Sequence, residues 1–210
     1  FAKRQSALAA TAGLAPRPRS RMGMKPVVAA LKKPPVIAGL AWRPETGTQV
    51  LVLDKDDLSK RRLYDLPAFF HFHLGDAWAE RDGTIRFDVA ASGDPRFAVD
   101  GARVLVEGHG VVPGDPARLA LITLRPDGRA DMAHSAVVGE FPKADPRRAG
   151  RQRSLTAHTS GETRGRPLPT GLAVQDWDSG RSHAFEFGVH QVVVVNRRAE
   201  RDAELVQRYG

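Results

Sequence analysis

Two histidines stand two residues apart in the run Phe69-Phe70-His71-Phe72-His73-Leu74-Gly75-Asp76-Ala77-Trp78. Side chains alternate along an extended strand, so His71 and His73 would share one face and Phe70 and Phe72 the other. Two imidazoles on one strand face can reach a common metal ion. The plainer reading makes one of them a surface or hydrogen-bonded core histidine. A second candidate spans residues 139–151 and opens Gly139-Glu140-Phe141-Pro142. A Glu at a strand end can accept the free N–H of a metal-bound imidazole, which fixes the tautomer and makes the ligand more basic. Its plainer reading is a loop Glu in a salt bridge. His109, His134, His158 and His183 are scattered and read as structural or exposed. The chain has no Gly-rich phosphate loop, no H-E-x-x-H helix and no G-x-S-x-G elbow.

Short strands separated by turns must position these residues. Residues 36–42 are apolar and end in the turn Arg43-Pro44-Glu45-Thr46-Gly47; residues 49–53 and 61–66 flank Asp54-Lys55-Asp56-Asp57. Residues 69–80 lead through Arg81-Asp82-Gly83 into 84–90, and Asp-Gly between extended segments signals a hairpin. Residues 102–107 and 119–124 continue the series, and Pro126-Asp127-Gly128 turns the chain into 131–140. Residues 171–176 and 183–187 are expected to pair across Trp177-Asp178-Ser179-Gly180. Val192 to Val195 reads as a buried strand or an aggregation-prone stretch, and only residues 196–208 look helical. Strands at this spacing indicate an all-β sandwich, barrel or propeller, and the repeated strand, acidic-Gly turn, strand form favours propeller blades.

Composition narrows the chemistry. Of 210 residues, 20 are Gly and 15 Pro, which suits a turn-rich β protein. The absence of Cys excludes disulfides, Cys-ligated zinc, iron–sulfur clusters and thiol catalysis, so any metal must be held by His, Asp or Glu. No apolar run approaches the ~18–20 residues of a membrane-spanning helix. The net charge of +8 belongs entirely to residues 1–34, which carry eight Lys and Arg and no acid. The remaining 24 basic side chains face 24 acidic ones. A folded nucleic-acid-binding face is therefore disfavoured. Residues 1–34 read as a disordered basic arm, with a targeting segment and a nucleic-acid or membrane arm as other readings. The chain begins with Phe1, which suggests a fragment or a processed product.

Three stretches, in order, resemble the carotenoid cleavage oxygenases, a family that includes the lignostilbene dioxygenases. Trp42-Arg43-Pro44 through Val50-Leu51-Val52-Leu53-Asp54-Lys55-Asp56 is similar to that family's "W-x-P … R-x-G-V-L-x-R" strand pair. Phe72-His73-Leu74-Gly75-Asp76-Ala77-Trp78-Ala79-Glu80 is similar to "F-H-x-x-N-A-W/Y-E". Gly139-Glu140-Phe141-Pro142 through Asp145-Pro146-Arg147-Arg148-Ala149-Gly150-Arg151 is similar to "x-E-F-P-x-x-x-P-x-x-x-G-x", and Tyr64-Asp65-Leu66-Pro67 also fits. The resemblance covers about residues 35–190.

It implies a seven-bladed β-propeller with a non-haem Fe(II) held by four His, three of them oriented by Glu. His73 would be the third iron ligand and Glu140 its carboxylate partner, while His71 falls where the family usually has an apolar residue. The implied reaction is O2-dependent cleavage of a conjugated C=C bond in an apolar carotenoid, apocarotenoid or stilbene, giving two carbonyl products. Phe72 would line the substrate tunnel or pack in a blade core. A cytoplasmic monomer without nucleic acid is expected, with peripheral membrane contact for substrate uptake as an option.

The departures are specific. Asp76 stands where Asn is usual, residues 1–41 contain no His, and the family's "E-x-x-F-V-P" and "G-F-H" segments are missing after residue 188. At roughly 40–50 residues per blade, residues 35–210 supply about three or four blades. The expectation is therefore a partial propeller at 35–210 behind an arm at 1–34, with too few ligands for a complete iron site. The rival reading is a non-enzymatic propeller that binds a partner and uses His73 in its core.

Overall fold

The computed structural model describes residues 7–11, 14–16, 40–108, 112–161 and 168–188. Twelve strands and one α-helix make up the described secondary structure, together with short 3-10 turns. Strands β1 (Ala7–Thr11), β4 (Thr48–Leu53) and β5 (Arg61–Leu66) form a three-stranded sheet in the order β1-β4-β5. A small pair joins β2 (Leu14–Pro16) to β3 (Leu40–Trp42). The main sheet is antiparallel and has seven strands in the order β12-β11-β10-β9-β8-β7-β6. Its members are β6 (Phe70–Ala79), β7 (Ile85–Ser92), β8 (Arg118–Leu124), β9 (Ala130–Lys143), β10 (Leu155–Ser160), β11 (Gly171–Asp176) and β12 (Ser182–Glu186). Among the described residues its edges β6 and β12 do not meet, so the sheet stays open.

The hairpins expected at the acidic-Gly turns are present. β6 pairs with β7, β8 with β9, and β11 with β12. Each turn glycine takes the left-handed backbone that such a turn requires, as at Gly83 (φ 89) and Gly128 (φ 90).

β9 joins two four-stranded meanders. Its first part pairs with β8 and its last residues with β10. β7 and β8 are buried on both faces, as strands sandwiched between layers are. One face carries Ile85, Phe87, Val89, Ala120, Ile122 and Leu124 and packs against Val50, Val52, Tyr64 and Leu66 of β4 and β5. Full burial of each large apolar side chain contributes about 1.5–3 kcal/mol. Tyr64 keeps its hydroxyl satisfied by donating to the Arg125 carbonyl at 3.0 Å. The other face of β7 carries Asp88, which reaches the second meander at Thr156. The β4-β5 hairpin and the second meander thus lie against opposite faces of the first meander.

Two expectations are corrected. Residues 102–107, read as a strand, belong to helix α1 (Arg96–Glu107). Asp94 starts it by accepting the Arg96 N–H at 2.8 Å, Gly108 ends it with φ 74, and Gly101 and Val104, one turn apart, face inward. The local apolar residues recur at helical as well as strand spacing, and the start signal at Asp94-Pro95 decides between them. The basic arm at 1–34 is not wholly without structure, because β1 and β2 fall within it. Both stretches are free of charged residues. The helix expected at 196–208 and the strand at 192–195 lie outside the described residues, as does His109.

Candidate metal-ligand site

His73 lies in β6 and Glu140 in β9, 67 residues apart, and Glu140 Oε2 is 2.9 Å from His73 Nδ1. A carboxylate only accepts, so the proton of this contact sits on Nδ1, and in the neutral ring the lone pair is then on Nε2. Nε2 has no protein partner among the described residues. The imidazole is about one-third exposed, as is the carboxylate. Aromatic rings flank it: Phe141 at 4.1 Å between centroids and Phe72 edge-on at 4.9 Å. Phe72 is 61% exposed and is not part of the core among the described residues.

The carboxylate is itself fixed. Glu140 Oε2 also accepts the Phe141 N–H at 3.2 Å, and the Glu140 carbonyl accepts from buried Thr159 Oγ1 at 2.8 Å. Next to it, Gly139 lets β9 lie against the buried His158 ring, because a Cβ at 139 would fall 2.1 Å from His158 Nδ1.

The first histidine behaves differently from the second. Alternation in β6 is interrupted by register shifts between His71 and Leu74 and between Leu74 and Ala77. His71 packs on Phe69 at 5.7 Å, and its Nδ1 is buried with no partner among the described residues. Burial holds the His71 pKa below the ordinary value, with the nearby Glu140 charge opposing it. His158 Nδ1 donates to the Thr159 carbonyl at 2.9 Å, and burial likewise lowers its pKa. His134 and His183 are exposed.

Asp76, three residues past His73, anchors β6 from below. It accepts from the Gly150 N–H at 3.0 Å and from Arg153 Nη1 at 2.8 Å. The same guanidinium reaches the fully buried Asp88 at 2.7 Å and lies 4.7 Å over the Trp78 ring. Asp88 also accepts the Asp76 N–H at 2.9 Å and Thr156 Oγ1 at 2.5 Å. This cluster ties β6 and β7 to β10, and so helps hold the strand bearing His73 beside the strands bearing Glu140 and Thr159. Sequence reasoning missed Arg153 altogether. The only local hint of the cluster was the acid in place of Asn at 76.

Among the described residues, no three His, Asp or Glu side chains form a cluster that could hold a metal ion. His73 has the chemistry of one imidazole ligand, but the described residues do not make up a full iron site. Two open grooves, of about 600 and 720 Å3, border Arg148 and Arg153 and, separately, Arg118 and His134; neither includes His73. No helix among the described residues is long and apolar enough to cross a membrane.

The fold is that of apocarotenoid oxygenases. Cobalt-substituted Synechocystis ACO superposes with a TM-score of 0.60 at 20% identity, covering 72% of this chain and 32% of that one. A chimera of ACO and RPE65 gives 0.68 at 17% identity, covering 88% and 36%. A mutant of Synechocystis apocarotenoid oxygenase gives 0.66 at 18%, covering 92% and 40%. The chain thus spans a third or slightly more of the length of these structures. The family model described as "RPE65: Retinal pigment epithelial membrane protein" matches residues 22–202, and the chain therefore belongs to this family, the carotenoid cleavage oxygenases. No curated protein matches the chain.

Proposed function

We propose that the chain is part of a non-haem Fe(II)-dependent dioxygenase that cleaves a conjugated C=C bond of an apolar carotenoid, apocarotenoid or stilbene into two carbonyl products. His73 serves as one imidazole ligand and Glu140 as the carboxylate that holds its proton on Nδ1. The observation that carries this reading is the 2.9 Å contact between Glu140 and His73 Nδ1, with Nε2 left free of protein partners. A carboxylate on the far nitrogen is the usual companion of a metal-bound imidazole. Two meanders joined through β9, with the β4-β5 hairpin packed on the first, support the further reading that residues 35–210 are an open segment of a seven-bladed propeller.

What these residues do is limited and definite. Glu140 orients the ring, and Phe72 and Phe141 crowd water away from two sides of it. Bound iron would supply O2 activation, and the described residues contribute one imidazole and its carboxylate partner to holding it. The 210-residue chain is expected to bind Fe(II) or Co(II) weakly and to leave stilbene and carotenoid uncleaved. Calorimetric titration tests this. His73→Ala should abolish the weak binding, and Glu140→Gln should reduce it by about 10-fold or more. Tight stoichiometric binding, or binding unchanged in His73→Ala, would overturn the assignment.

A further inference from the structure

Consecutive residues of a regular strand point to opposite faces, so they do not normally touch the same side chain. Glu140 and Phe141 both touch His73, one through its carboxylate and the other through its ring. The backbone explains this. Phe141 has φ 54 and is the one non-Gly residue with positive φ among the described residues. The β9–β10 ladder passes from Glu140↔Thr159 to Lys143↔Ala157, three steps on one strand against two on the other. β9 therefore carries an extra residue, a bulge, at 141–142. A bulge residue in the left-handed region is ordinarily Gly, and bulges next to functional sites re-aim side chains.

A bulky side chain in this conformation is unfavourable and persists only where its surroundings enforce it. Two features do so. Pro142 follows, buried and without an N–H to give the ladder, and it sits 3.2 Å from where a Cβ at residue 75 would lie. The space beside Gly75 is taken by the Asp88 carboxylate, whose Oδ1 would lie 1.7 Å from such a Cβ, with Pro142 packed next to it. The Phe141 N–H at the start of the bulge donates to Glu140 Oε2, the same oxygen that meets His73.

We propose that the left-handed bulge at Phe141 is the positioning device for His73. It holds the Glu140 carboxylate on Nδ1 and lays the phenyl ring along the imidazole, so that Nε2 is offered as a lone pair before any metal arrives. This deepens the reading of His73 as a metal ligand and rests on it for its purpose, though not for its test. Phe141 acts through Glu140 and His73 and is a positioning residue.

The test uses the full chain, metal-free, labelled with 15N-histidine, at a pH where the ring is neutral. Long-range 1H–15N correlation reports which nitrogen of His73 carries the proton. Wild type is expected in the Nδ1–H form. Phe141→Gly takes positive φ freely and should keep that form although the phenyl ring is gone. Phe141→Val disfavours positive φ and should lower the Nδ1–H to Nε2–H ratio several-fold. Loss of the Nδ1–H form in Phe141→Gly, or its full retention in a folded Phe141→Val, overturns the proposal. Where Phe141→Val does not fold, Phe141→Gly decides alone. Co(II) binding that ignores His73, alongside the stated Phe141 behaviour, would sink the metal reading and leave this inference standing.

Discussion

Replacing Arg153 by Met is expected to be among the most damaging single changes in the described chain. Its side chain is 9% exposed and its guanidinium bridges Asp76 and Asp88, the latter wholly buried. Met keeps an apolar stem but removes the charge and the guanidinium that lies over Trp78. Asp88 then keeps two donors, the Asp76 N–H and Thr156 Oγ1, and loses its counter-ion. Leaving one partner of a buried ion pair uncompensated costs about 3–5 kcal/mol. The partly exposed Asp76 contact adds less than about 1 kcal/mol. Against a total stability of about 5–15 kcal/mol this is a large fraction. At roughly 2–4 °C per kcal/mol for a chain of this size, Tm should fall by about 6–20 °C. Urea unfolding followed by tryptophan fluorescence is a suitable assay, because Trp78 lies under the guanidinium and Trp177 donates to Thr156 at 3.0 Å. Adding Asp88→Asn removes the stranded charge while keeping an acceptor for the Asp76 amide. The double variant should be more stable than the sum of the two losses implies, by about 0.5–3 kcal/mol. A loss below about 1 kcal/mol for Arg153→Met, or strict additivity, would refute the reasoning.

Other outcomes follow from the same geometry. Asp76→Asn, the residue the family usually carries, should cost no more than about 1 kcal/mol in urea melts, since it keeps an acceptor for Gly150 and leaves Arg153 with Asp88. Gly139→Ala should destabilise by about 2–4 kcal/mol, because the new Cβ falls 2.1 Å from His158 Nδ1, and the His73–Glu140 contact should loosen with it; a neutral melt would contradict this. Burial lowers the pKa of His71 and His158, so the unfolded chain binds their protons first as pH falls. Their contribution is complete above about pH 6.5 and is lost as pH drops below it, at up to about 1.4 kcal/mol per pH unit per proton. The urea midpoint should therefore fall between pH 7.5 and 5, with a shallower fall in His158→Gln.

Local chemistry made much of the fold legible. The turns Asp82-Gly83, Asp127-Gly128 and Ser179-Gly180 marked their hairpins because left-handed glycine positions leave a direct trace in sequence. Alternation failed in β6, where bulges shift the register and give His71 and His73 different surroundings. The partnership of His73 with Glu140 was legible through the order of family-like motifs; strand periodicity alone did not single it out. The Arg153 cluster was not legible, since its bonds join residues 65 and 77 positions apart through a face that exists only once the two meanders pack. The left-handed backbone of Phe141 was hidden too, because it sits in a bulge that shows only in the register of β9 against β10.

The central claim is that His73 keeps its proton on Nδ1 against Glu140 and meets a metal through Nε2. The most direct measurement is the imidazole 15N spectrum of the 15N-histidine-labelled chain during a substoichiometric Co(II) titration. The expected result is a His73 ring protonated at Nδ1 whose Nε2 signal broadens before that of any other of the seven histidines. A His73 ring protonated at Nε2, or broadening that begins at another histidine, would contradict the account.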